Sequence, residues 1–92
     1  MELSDDDHFI VIKGRRWRAT DPTIPDDVAA DLRRSLMSAR RAVGAALKAH
    51  DEDAEQSARA RVNVAKIALG ERGRAWWEQT ADERKARWES GL

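Results

Sequence analysis

The chain has 92 residues, and its 17 Lys and Arg balance 17 Asp and Glu, so the formal net charge is zero although charged residues make up 37 % of it. That length makes one modest domain; the 41 % hydrophobic share is inflated by 16 alanines, four residues are Trp, and there is no Cys. This composition excludes a collagen-like, disulfide-stapled, cysteine-zinc or membrane-spanning chain, and it speaks against a simple polybasic nucleic-acid binder.

Residues 1–8 carry Glu2, Asp5, Asp6 and Asp7 and read as a flexible acidic lead-in. Acidic charge is the wrong sign for a signal or transit peptide, so the chain is expected to be cytoplasmic. Residues 9–19 hold two short strand-like runs, Phe9-Ile10-Val11-Ile12 and Arg15-Arg16-Trp17-Arg18-Ala19, around Lys13-Gly14, which predicts a β-hairpin. A two-residue turn would oppose Ile10 to Trp17 and gather Ile10, Ile12 and Trp17 on one face. A bulged turn with Gly14 in the left-handed region would gather Phe9, Val11, Trp17 and Ala19. Lys is a poor first residue for the primed turns, which favours the bulge. In both cases Trp17 faces an apolar side, and a lone hairpin must lie on helices to be stable.

Thr20-Asp21-Pro22-Thr23-Ile24-Pro25-Asp26 reads as a turn and helix start, with Thr23 as N-cap and Pro25 in the first turn. A helix is predicted over residues 24–49, with Val28, Leu32, Leu36, Ala39, Val43 and Leu47 as its buried stripe. Gly44 costs about 1 kcal/mol against alanine there, and close approach of another helix would explain it. His50-Asp51-Glu52-Asp53 forms the loop. A second helix over 54–69 buries Ala54, Ala58, Val62, Ala65 and Leu69, and Gly70 supplies its left-handed stop. Together they predict a long antiparallel helical hairpin. Thr80-Ala81-Asp82-Glu83 is a capping box opening a short helix over 80–90 that carries Trp88.

The charges fall in alternating blocks: −4 over 2–7, +4 over 13–18, −4 over 21–31, +5 over 33–48 and −4 over 51–55. Most of this is helix electrostatics. Asp26, Asp27 and Asp31, Asp51 to Glu55, and Asp82 with Glu83 lie near helix starts, and Lys48 and Lys66 near helix ends, each placement contributing about 0.3–1 kcal/mol. The four tryptophans are expected mainly in the core, since burying one removes about 150–250 Å² of surface. Adjacent helical residues point about 100° apart, so one of Trp76 and Trp77 is the candidate exposed anchor for a protein partner.

Catalytic chemistry finds no constellation. His8 lies in the lead-in and His50 at a helix end, no Ser sits in a nucleophile elbow, and no carboxylate pair has a desolvating scaffold. Asp51-Glu52-Asp53 resembles the start of a calcium loop, but Gln56 and Val62 stand where Gly and Glu are needed. No metal or cofactor is expected. Two segments suit nucleic acid instead. Lys13, Arg15, Arg16 and Arg18 interleave with Trp17, a pattern for phosphate contacts and base stacking. Gly70-Glu71-Arg72-Gly73-Arg74 has the GXXG form of a backbone-clamping loop, with Arg72 and Arg74 beside it, although such short matches are common and a paired-glycine helix stop is the favoured account.

The runs Gly14-Arg15-Arg16-Trp17-Arg18-Ala19-Thr20-Asp21-Pro22, Ala39-Arg40-Arg41-Ala42-Val43-Gly44 and Ala68-Leu69-Gly70-Glu71-Arg72-Gly73 with Trp76-Trp77-Glu78 resemble a family of small uncharacterised bacterial proteins. Some of these carry the label "biopolymer transporter Tol". The resemblance spans most of residues 9–92 and implies a bacterial cytosolic protein with no defined activity and no functional residue to carry over. The chain has neither the propeller repeats nor the membrane segment that a Tol-system component needs.

The sequence therefore predicts a mainly α domain with an N-terminal β-hairpin, a long antiparallel helical pair and a short Trp-rich C-terminal helix. Its expected function is non-catalytic: binding of a protein partner, with a homodimer as one form, through Trp76 and Trp77 or the projecting end of the first helix. The alternative is nucleic-acid binding through Lys13, Arg15, Arg16, Arg18, Arg72 and Arg74.

Overall fold

The computed structural model describes residues 5–92; the first half of the predicted acidic lead-in lies outside them. The elements are α1 (Asp5–His8), β1 (Phe9–Ile12), β2 (Arg15–Arg18), α2 (Asp26–Lys48), α3 (Glu52–Ala68), a 3-10 turn (Trp76–Glu78) and α4 (Ala81–Glu89). The protein is thus mainly helical, with one two-stranded antiparallel hairpin at its N-terminal side. At 1.5 Å per residue α2 is about 35 Å long, and it sets the long axis of a 50 × 32 × 21 Å body.

Local chemistry explains the helix ends. His50 and Asp51 donate to the Leu47 and Ala46 carbonyls at 3.2 and 3.0 Å, closing α2 with a paired reverse turn in which His50 takes φ +53°. The Asp51 carboxylate then accepts from the Ala54 amide at 3.0 Å and opens α3, so that helix starts at Glu52, two residues earlier than predicted. Gly70 (φ +82°) ends α3 in the same way, with Gly70 and Glu71 donating to Ile67 and Lys66. Thr80 and Glu83 form the predicted capping box of α4. Thr23, however, is not the cap of α2. The helix begins after Pro25 without any side-chain cap, because the Thr23 amide and hydroxyl both donate to Asp21.

The core lies between α2, α3 and α4. Ile24, Ala29, Leu32, Leu36, Ala65, Ala68 and Leu69 are buried together, and Val28, Val62 and Trp88 pack on them half-buried. Toward the α2–α3 turn the contact is made by alanine methyls, Ala39, Ala46 and Ala58. Ala46 takes the place expected of Leu47, which is half exposed. The reading of Gly44 is also corrected: it is exposed, and a Cβ there would meet nothing within 4 Å, so no helix approaches it.

The hairpin takes the two-residue turn rather than the bulge. Ile10 pairs with Trp17 and Ile12 with Arg15, and both turn residues have positive φ, Lys13 at +52° and Gly14 at +77°. These values match a primed turn, whose twist follows that of the strands; keeping Ile12 paired with Arg15 outweighs the cost of a left-handed Lys. Ile10, Ile12, Trp17 and Arg15 consequently share one face, and Phe9, Val11, Arg16 and Arg18 the other.

Candidate functional site

A polar knot at the base of the hairpin holds it to the helices. The Ala19 amide donates to His8, the Asp21 amide to the Leu69 carbonyl at 3.0 Å, and the Trp76 indole N–H to the Ala19 carbonyl at 3.0 Å. The Arg18 guanidinium donates to the Gly73 carbonyl at 2.5 Å, and the Thr20 hydroxyl to Glu71, which also pairs with Lys66 at 3.1 Å.

Asp21 is the centre of the knot. Its carboxylate has no exposed surface and accepts from the Thr23 amide (2.9 Å), the Thr23 hydroxyl (2.6 Å) and Arg87 (2.6 Å), with Arg84 at 3.6 Å. Arg87 also donates to the Ala68 carbonyl and to Gln79. Burial pushes the Asp21 carboxyl up, but the hydrogen bonds from Thr23 and Arg87 outweigh it and hold it below the ordinary value of 3.8. The Asp-Pro-Thr spelling marks the Asx turn, but no signal within the sequence links Asp21 to an arginine 66 positions away. Among the described residues every buried side-chain nitrogen and oxygen has a partner, so this buried charge is a fully satisfied structural group.

The tryptophans are distributed differently from expectation. Trp76 is 5 % exposed and hydrogen-bonded, which removes it as a partner-binding anchor. Trp77 is half-buried under the His8 ring, stacked at 3.9 Å and 3°, with Phe9 edge-on at 5.7 Å. The two indoles lie edge to face at 5.2 Å. The reading of a flexible lead-in up to residue 8 is therefore corrected for its last part: Asp5–His8 is a helical turn, and the His8 ring rests against Trp76 and Trp77. The indole that is left open is Trp17, 40 % exposed and not in the core as expected. Among the described residues the hydrogen bonds to the rest of the chain meet the hairpin at its base; beyond it the Lys66 ammonium of α3 stands 5.7 Å from the Trp17 ring, and Arg40 of α2 walls the same cleft.

Beyond that base the hairpin bares Ile10, Val11, Ile12 and Trp17, with 67 % of Val11 exposed. These open apolar residues divide between the two faces of the hairpin, Ile10, Ile12 and Trp17 on one and Val11 on the other. The Ile10, Ile12 and Trp17 face overhangs a cleft of ≈ 280 Å³ whose other walls are Arg18, Arg40, Lys66 and Glu71. Three cations against one carboxylate make it a positive, apolar-walled cleft.

The cations proposed for nucleic acid divide into two groups. Lys13 is at the hairpin tip; Arg15 lies over the Trp17 ring at 4.6 Å and Arg16 over Phe9 at 4.2 Å. Arg72 donates to Asn63, and Arg74 pairs with Glu83 at 2.9 Å and donates to the Glu78 carbonyl. The Arg18 bond to Gly73 brings the hairpin and the glycine loop side by side. Pairing with Glu83 offsets the charge of Arg74, and the Arg15 and Arg16 guanidinium groups each lie over an aromatic ring on which a base would stack.

Among the described residues no cluster of three or more His, Cys, Asp or Glu is placed to hold a metal ion, and no helix is long and apolar enough to cross a membrane. No protein-family model, curated protein or solved structure matches the chain.

Proposed function

We propose that this domain is a non-catalytic protein-interaction module whose docking element is the outer half of the β-hairpin. The observation that carries the reading is the exposure of Ile10, Val11, Ile12 and Trp17 on a hairpin whose hydrogen bonds to the helices and loops lie at its base. Aliphatic side chains have no partner on a phosphate backbone, whereas an apolar centre with Trp and a polar rim is the usual composition of a protein interface. The rim is cationic through Arg15, Arg18, Arg40 and Lys66, so the fitting partner is a segment with one or two large apolar residues flanked by Asp or Glu.

A random-peptide display selection against the folded domain tests this. Enrichment of acidic-apolar peptides that shift the amide signals of residues 10–18 is the expected result. The Ile10→Ser/Ile12→Ser/Trp17→Ser variant should lose binding while keeping a cooperative melt. Failure of any sequence to enrich, or enriched peptides that bind that variant equally well, overturns the reading.

Nucleic-acid binding is the second reading, favoured by the Arg18–Gly73 contact that sets the hairpin cations beside Arg72 and Arg74. Its signature is an amide-shift titration with mixed short DNA and RNA, in which shifts over 13–18 and 70–77 fade as salt rises. An unmoved spectrum at low salt retires it.

A further inference from the structure

We propose that the outer edge of β1 pairs with the same edge of a second copy of this chain, closing a two-fold, four-stranded antiparallel sheet in the order β2–β1–β1–β2; this rests on the reading of the hairpin as the docking element.

The first observation is which backbone groups point outward. The tight turn makes Ile12 and Arg15 a hydrogen-bonded pair, and bonded and non-bonded pairs alternate along an antiparallel ladder. The Ala19 amide donating to His8 at 2.8 Å fixes the same phase at the other end. Residues 8, 10 and 12 therefore bond inward to β2, and Phe9 and Val11 aim their N–H and C=O groups away from it. Among the described residues no third strand takes them up.

The second observation is the asymmetry of the two edges. β2 is Arg-Arg-Trp-Arg, and a strand so charged repels another copy of itself. β1 is Phe-Ile-Val-Ile, with none of the charges, prolines or bulges by which a solvated edge is normally protected. Its 67 % exposed Val11 lies in the middle of that edge.

The third is the geometry of a self-pairing. A two-fold axis normal to the sheet keeps each face of the hairpin on its own side. With Ile10 opposite the second copy's Ile10, Phe9 stands opposite Val11, and the outward groups of both strands are matched. Ile10, Ile12 and Trp17 of the two copies then form one continuous apolar face. The two arginine-rich β2 strands are three strand spacings apart, about 14 Å. That exceeds the screening length of about 8 Å at physiological salt, so their repulsion does not oppose the seam.

Sedimentation equilibrium of the full chain over a concentration series, with residue-resolved amide exchange, tests the proposal. Association should approach twice the 10.4 kDa of the chain. The Phe9 and Val11 amides should gain protection with concentration, while those of Ile10 and Ile12 are protected throughout. Val11→Lys puts two like charges into the seam at an exposed position, and Val11→Pro removes an outward donor without touching the β1–β2 ladder. At concentrations where the parent is itself a single chain both should melt as it does, and at concentrations where it pairs both should remain single chains. A single-chain mass at millimolar concentration overturns the proposal, as does a dimer that Val11→Lys leaves intact. A monomer that still binds selected peptides through Ile10, Ile12 and Trp17 overturns the dimer and leaves the docking reading standing. Protection of Phe9 and Val11 only on adding such a peptide assigns the edge to a different partner and overturns self-pairing.

Discussion

Replacing Asp21 by Ala removes the acceptor at the centre of the knot that joins hairpin, α3 and α4. The lost contacts are one charge-assisted hydrogen bond from Arg87 and two from Thr23. At about 1.5–3 kcal/mol for the first and about 0.5–1.5 kcal/mol for each of the others, the sum is about 2.5–6 kcal/mol. Breaking a buried ion pair from one side costs about 3–5 kcal/mol, in agreement with that sum, because the 7 % exposed Arg87 keeps its charge without a counterion. The whole domain is worth only about 5–14 kcal/mol at its length. Thermal and urea unfolding followed by circular dichroism should show the midpoint of Asp21→Ala lowered by about 15–30 °C. Asp21→Asn keeps an oxygen for Thr23 and loses only the charge, so it should fall by about half as much. The pH dependence has a definite sign. The folded carboxyl titrates below 3.8, so its contribution is complete above pH about 4 and is lost as pH falls through the folded value. Asp21→Asn should therefore lose less stability than the parent on acidification. If Asp21→Ala melts within about 1 kcal/mol of the parent, the carboxylate is not the buried partner of Arg87 and the reasoning fails.

Gly44→Ala should raise stability by about 1 kcal/mol, since the site is mid-helix, exposed and has room for a methyl group; a lowered midpoint in the same melts would mean that something packs there. Gly70→Ala should destabilise by more than the roughly 1–2 kcal/mol of a left-handed alanine, because its Cβ would also stand 3.1 Å from both Asp21 and Trp76. Trp76→Ala and Trp17→Ala should separate: about 3–5 kcal/mol for the buried indole and about 1–2 kcal/mol for the one that is 40 % exposed. Equal losses in urea titrations would refute the assignment of Trp17 to the surface.

The elements legible in advance are those whose cause lies within a few residues. The capping box of Thr80 and Glu83, the left-handed stop at Gly70 and the stripe of Leu32, Leu36 and Ala39 each follow from local hydrogen bonding or helical period. The hairpin was legible as an element, but its turn was not. The cost of a left-handed Lys13 is a local preference, whereas the pairing of Ile12 with Arg15 and Ile10 with Trp17 is a property of the whole hairpin.

The candidate site was legible only in part. Composition marks Lys13 to Arg18, but the roughly 100° offset of adjacent helical residues points to Trp76 or Trp77 as the open indole, and it carries no information on what packs over either. An indole is buried or open according to what packs on it. Trp76 is enclosed because its N–H reaches Ala19, 57 positions away, and Trp77 is covered because His8 stacks on it. Trp17 stays 40 % exposed because the hydrogen bonds that hold the hairpin lie at its base, and its ring meets the Lys66 ammonium across an open cleft.

By itself the sequence determined the helices, their stops and the presence of a hairpin, since these depend on bonds between residues two to five apart. Only the tertiary structure decided that Asp21 would be a buried counterion to Arg87, that Gly44 would face solvent, and that the open apolar surface would be Ile10, Val11, Ile12 and Trp17. Those outcomes depend on which residues meet across 50 or more positions of chain, and no local preference encodes that meeting.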